Sequence, residues 1–97
     1  MSSPTDLPTS TKIVANDDCL STVVDGESVL LHMGNEKYYG FNEVGTQIWE
    51  FSQNPRTIDE ICEHVMQSYD VDEGRCLADV RELVTELIEL DLVQTVE

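Results

Sequence analysis

The chain has 97 residues, enough for one hydrophobic core and too few for two. Its 40% hydrophobic and 26% charged residues exclude a collagen-like or wholly disordered chain, and twenty Asp and Glu against five Lys and Arg give a formal net charge of -15. Such a charge repels phosphate backbones and anionic membrane surfaces, so neither nucleic acid nor membrane is an expected partner, while a basic or neutral peptide is drawn in.

Residues 1–10 are mostly Ser, Thr and Pro with little to bury and predict a flexible tail; residues 11–97 form the single domain. The first twelve residues have neither the basic stretch nor the apolar segment of a secretory signal, and no run approaches the roughly 18 apolar residues of a membrane span. Residues 13–15 are a candidate short strand. Two β-rich runs, residues 20–24 and 28–33, flank Asp25-Gly26, a pair suited to a tight turn with positive φ. Gly34-Asn35 makes a second turn into residues 36–41. Two successive hairpins predict a three-stranded antiparallel meander whose last strand lies at an edge.

Helical signals follow. Asn42 can cap a helix with Val44, Ile48, Trp49 and Phe51 as its apolar positions, stopped at Asn54-Pro55. Thr57 and Glu60 form a capping box before a stripe of Ile58, Ile61, Cys62, Val65 and Tyr69. Asp72 can cap a third, longest helix running to about Leu90, with Leu77, Val80, Leu83, Val84, Leu87 and Ile88 inward and Asp79, Glu82, Glu86 and Glu89 outward. Residues 92–96 close the chain as a short extended segment. The predicted class is α+β: a winged helix-turn-helix in which a three-stranded antiparallel meander precedes three helices.

Few constellations point to chemistry. Cys62 and His64 on one helix lie about 200° apart, and no CxxC or HxxxH pair exists, so no metal or other cofactor is expected. Three cysteines (Cys19, Cys62, Cys76) at irregular spacing suit reduced thiols in a cytoplasmic protein. His32 has no evident Ser or Cys partner, and there is no phosphate-binding glycine loop, so no catalytic residue is assigned and the chain is not expected to be an enzyme. A DNA-reading helix needs basic or amide side chains on its exposed face; the third helix sets Arg75 and Arg81 among Asp79, Glu82, Glu86, Glu89 and Asp91. The surviving site is the edge. In Lys37-Tyr38-Tyr39-Gly40-Phe41 alternation places Tyr39 and Phe41 on one face and Tyr38 and Gly40 on the other. Either an extended peptide pairs with this edge or a loop or second copy covers it. The acidic surface likewise has two readings, solubility in salt or steering of a cationic partner.

Together these residues resemble the PqqD-like family. The resemblance rests on Val29-Leu30-Leu31, Lys37-Tyr38-Tyr39-Gly40-Phe41-Asn42, Gly45-Thr46-Gln47-Ile48-Trp49, Arg56-Thr57-Ile58-Asp59-Glu60-Ile61, Tyr69-Asp70-Val71-Asp72, Cys76-Leu77-Ala78-Asp79-Val80 and the closing run from Leu87 to Val93, in that order. It covers about residues 13–96 and implies a small, non-catalytic winged-helix domain that binds the leader of a ribosomally made precursor peptide. The pattern is most similar to the stand-alone recognition proteins of lasso-peptide pathways, which work beside a separate leader protease and a cyclase. The alternatives are a chaperone for a radical enzyme, as in pyrroloquinoline quinone synthesis, and a winged-helix transcription regulator. By the resemblance the leader adds as an antiparallel strand to Lys37, Tyr38, Tyr39, Gly40 and Phe41, and lies against Cys76, Asp79, Val80 and Leu83 of the third helix. The implied protein is cytoplasmic, a monomer or weak dimer. One position departs from the family: Asp91 stands where Gly is frequent, at the end of the third helix.

Overall fold

Asp25 and Gly26 both take positive φ, 54° and 82°, the backbone a two-residue hairpin loop requires. They join β2 (Cys19–Val24) to β3 (Glu27–His32). The second hairpin is built differently from the predicted Gly34-Asn35 turn. Its loop has four residues, and the positive φ falls on Glu36 (58°), so β4 begins one residue later and spans Lys37–Phe41. Side chains stabilise this loop: Asn35 Oδ1 accepts the Lys37 N–H, and His32 Nδ1 accepts the N–H groups of Gly34 and Asn35. Glycine is needed at position 34 for space, since a Cβ there would lie 2.9 Å from the His32 ring.

The computed structural model describes residues 7–96. Strands β2, β3 and β4 form the predicted meander in the order β2-β3-β4, with β4 at an edge. Three helices follow: α1 (Glu43–Phe51), α2 (Ile58–Ser68) and α3 (Glu73–Glu89). The Asn42 and Asp72 side chains accept from the N–H groups of Gly45 and Arg75, as the sequence pattern predicts. A second antiparallel sheet goes beyond that pattern. It has the order β5-β1-β6, with β1 (Lys12–Ala15) between β5 (Arg56–Thr57) and β6 (Val93–Val96). The class is α+β, as expected. Of the tail read over residues 1–10, residues 1–6 lie outside the described residues. Leu7 packs on the core, and the Thr9 carbonyl accepts the Asp59 N–H.

The core lies where the inner face of the meander meets the helices and the second sheet. Leu30 from β3, Ile48 and Trp49 from α1, Ile61 and Val65 from α2, and Val80, Val84 and Leu87 from α3 are all buried. Two buried polar groups here are paired: Ser28 with the Thr46 hydroxyl at 2.8 Å, and the Trp49 indole N–H with Ser21 at 3.1 Å. Asp91 resolves the question at the end of α3. It takes φ 60°, its N–H donates to the Ile88 carbonyl, and the Leu92 N–H donates to the Leu87 carbonyl. That is a Schellman turn with Asp in the position glycine enters most freely.

The capping box of α2 is complete: Glu60 N–H donates to the Thr57 hydroxyl at 3.0 Å, and the Thr57 backbone N–H donates to Glu60 at 2.8 Å. Thr57→Ala is expected to lower stability by about 1 kcal/mol in urea denaturation. The Thr57 backbone N–H, ahead of the Thr57 hydroxyl, Arg56 and Lys12, holds the Glu60 carboxyl below its ordinary range. A lowered carboxyl stabilises the fold above the unfolded-state pKa, and that contribution disappears as pH falls through the folded value. Glu60→Ala is therefore expected to be less stable than wild type at neutral pH and to converge on it in acid.

Candidate functional site

Alternation along β4 turns Tyr39 and Phe41 toward the helices, half-buried, and leaves Tyr38 71% exposed on the outer face. No further strand lies outside β4 among the described residues. Beside this edge an open groove of about 740 Å³ separates β4 from α3. Tyr39, Gly40 and Phe41 form one wall. Cys76, Asp79, Val80 and Leu83 form the other, and Ile48 and Val65 lie between them. Apolar side chains dominate this lining, while the described backbone edge of β4 supplies hydrogen-bonding groups along one side.

Seven of the nine sequence-predicted residues thus come together around one groove. Lys37 and Tyr38 stand on the same edge strand but outside the groove lining. Sequence reasoning missed the floor and the far end: Val44 of α1, Tyr69 at the end of α2, Val71 before α3, and Leu87 and Leu90 at its close. Val71 carried a usable signal, an isolated valine between Asp70 and Asp72 that a core would not require. Leu87 was assigned inward, and it serves both the core and the groove.

The polar groups around the groove are few. Arg75, Asp79 and Glu86 border it, two carboxylates against one guanidinium. Arg75 and Asp79 approach to 3.9 Å as an i,i+4 pair with both side chains largely exposed, a contact worth little in water and easily exchanged. The Tyr69 hydroxyl accepts from Gln47 at 3.5 Å. Burial first, then its hydrogen bond to Glu43 and that carboxylate's charge, raise its pKa. Tyr69 thereby ties the end of α2 to the start of α1 while its ring lines the groove.

The cysteines are free thiols. Cys62 is pushed up to about 12 by burial first and then by Cys76, Glu73 and Asp59, so it is protonated at neutral pH and a poor nucleophile. Cys76 is buried in the groove wall, its Sγ 3.8 Å from the Cys62 carbonyl oxygen. His64, about 200° round α2 from Cys62, stacks on Phe51 with centroids 4.2 Å apart and planes 2° from parallel. The Arg56 guanidinium also sits 4.2 Å from that ring. This cluster joins α1 to α2 and does not line the groove. Among the described residues no group of three or more His, Cys, Asp or Glu is gathered as a metal site, and no helix is long and apolar enough to cross a membrane.

Residues 27–93 match the family model described as Coenzyme PQQ synthesis protein D (PqqD). A solved structure, "TbiB1 in Complex with the TbiA(beta) Leader Peptide", is similar to the chain with a TM-score of 0.78 and 28% identity, over 84% of this chain and 94% of that one. No curated protein matches the chain.

Proposed function

Because the chain belongs to the PqqD family, we propose that it is a non-catalytic protein that binds the leader segment of a ribosomally made precursor peptide. The observation that carries this reading is the open edge of β4 running beside an apolar groove. The leader adds to β4 as an antiparallel strand, and backbone hydrogen bonds fix its register. Alternate leader side chains enter the groove between Tyr39 and Phe41 on one side and Val80 and Leu83 on the other. Each buried leader hydrophobe contributes about 1.5–3 kcal/mol. Cys76 closes the wall of the groove, and Asp79 exchanges its exposed contact with Arg75 for a basic residue of the leader. Lys37, Tyr38 and Gly40 contribute backbone of the same strand, with the Tyr38 side chain on its outer face. The likeness to TbiB1, solved with a leader peptide, supports the partner class.

In this reading the protein acts in the cytoplasm, as a monomer or weak dimer, and delivers the bound precursor to a separate leader protease and cyclase of lasso-peptide maturation. The description of the matching family model favours a second destination, a radical enzyme of the pyrroloquinoline quinone type. The precursor gene beside the coding sequence distinguishes the two. Titrating a labelled leader from that precursor tests binding itself: saturation at micromolar concentration is expected, and no saturable binding would contradict the proposal. With -15 on the protein, added salt is expected to slow association more than it speeds dissociation.

A further inference from the structure

His32 is buried, and both of its ring nitrogens are engaged. Nδ1 accepts the backbone N–H groups of Gly34 at 3.1 Å and Asn35 at 3.2 Å. That leaves the ring proton on Nε2, which donates to Asp91 Oδ2 at 3.1 Å. Asn16, also buried, donates through Nδ2 to the Asp91 carbonyl oxygen at 2.8 Å and lies 3.3 Å from Oδ2. The Asn16 backbone N–H donates to the Leu92 carbonyl at 2.9 Å, and the Met33 N–H to the Asp18 carbonyl at 2.8 Å. One node therefore joins the link between β1 and β2, the loop between β3 and β4, and the turn between α3 and β6.

Its place in the fold gives it a consequence. His32 pairs with Lys37, the first residue of β4. Asp91 follows Leu90, the last groove-lining residue of the α3 segment. Apart from this node, β4 packs on β3 and α1, and α3 packs on α2 and β6. Asp91 also occupies a left-handed position that glycine would enter at lower cost, so its side chain, not its backbone, accounts for it there.

We infer that Asp91 is a positioning residue for the groove. Its carboxylate, held by His32 and Asn16, fixes the separation of the β4 and α3 walls at one end and thereby the affinity for an inserted peptide strand. The effect on peptide affinity rests on the proposed function; the effect on wall mobility does not.

Two variants test it. Asp91→Gly suits φ 60° and removes the carboxylate, while Asp91→Asn keeps an acceptor oxygen for the His32 Nε2–H and tolerates the same backbone. Thermal unfolding, amide hydrogen exchange of the free protein, and affinity for a labelled TbiA(beta) leader peptide are measured for both. Asp91→Gly is expected to melt within a few degrees of wild type. Its exchange should rise about tenfold or more at residues 33–41 and 87–92, and its affinity should fall at least about fivefold. Asp91→Asn is expected to stay within about twofold of wild type in exchange and affinity. Wild-type exchange in Asp91→Gly, or Asp91→Asn behaving like Asp91→Gly, would overturn the inference. So would exchange rising equally throughout α1 and α2, which marks a global loss of stability. If the peptide does not bind wild type, a binding arm with the cognate leader replaces it, and the exchange arm still decides the role of Asp91.

Discussion

Leu83→Glu is expected to raise the dissociation constant for the leader by about 100-fold or more, while Glu89→Ala changes it by less than about twofold. Leu83 is half-buried and faces the groove from α3, whereas Glu89 is exposed on the same helix and does not line it. Replacing Leu83 removes an apolar contact with a leader side chain, about 1.5–3 kcal/mol. It also places a carboxylate where the inserted strand would exclude water, a further penalty of similar size. Two factors of ten in affinity correspond to about 2.7 kcal/mol, within that sum. Leu83 also packs on the core, so circular dichroism and the melting temperature of the free variant must accompany the titration. Equal effects from Leu83→Glu and Glu89→Ala would mean that the groove between β4 and α3 is not where the peptide lies.

The largest effect on stability is expected from Ile13→Ala, a loss of about 3 kcal/mol. Ile13 is fully buried in β1, the central strand of the second sheet, opposite Arg56 on one side and Thr95 on the other. Deleting three side-chain carbons there leaves a cavity between two strands that cannot close without breaking their pairing with β1. Against a typical domain stability of about 5–15 kcal/mol the loss is a large fraction. It should appear in urea as a midpoint lowered by roughly 1–3 M at nearly constant slope. A loss under about 1 kcal/mol would show that the second sheet is peripheral to the folded core.

The difference between these two positions shows what was legible in the sequence. Asp25-Gly26, the Asn42 and Asp72 caps, the Thr57–Glu60 box and the α3 stripe are local signals, and each one forms as its spacing implies. The second sheet rests on pairing of β1 with β6, as in Ile13 with Thr95. Nothing within Lys12-Ile13-Val14-Ala15 specifies so distant a partner. The β4 edge was legible because a meander must end somewhere and Tyr39 and Phe41 alternate. The floor of the groove was not, because periodicity marks Val44, Ile48 and Val65 as apolar without saying whether protein or open space covers them. The second turn is a four-residue loop with its positive φ on Glu36, beyond the Gly34-Asn35 pair, and His32, held by Asp91 59 residues away, binds the loop amides. Tertiary contact overrides the local turn preference there.

The chain has other open strand edges, and β2 bounds the same sheet as β4. Among the described residues, however, only the β4 edge adjoins the apolar groove. Amide hydrogen exchange with and without a saturating leader peptide therefore tests the central claim most directly. Residues 37–41 are expected to slow strongly and residues 76–90 of the facing helix more weakly, with residues 19–24 of β2 unchanged. Saturable binding that slows β2 or β6 and leaves residues 37–41 at their free rates would contradict strand addition at β4.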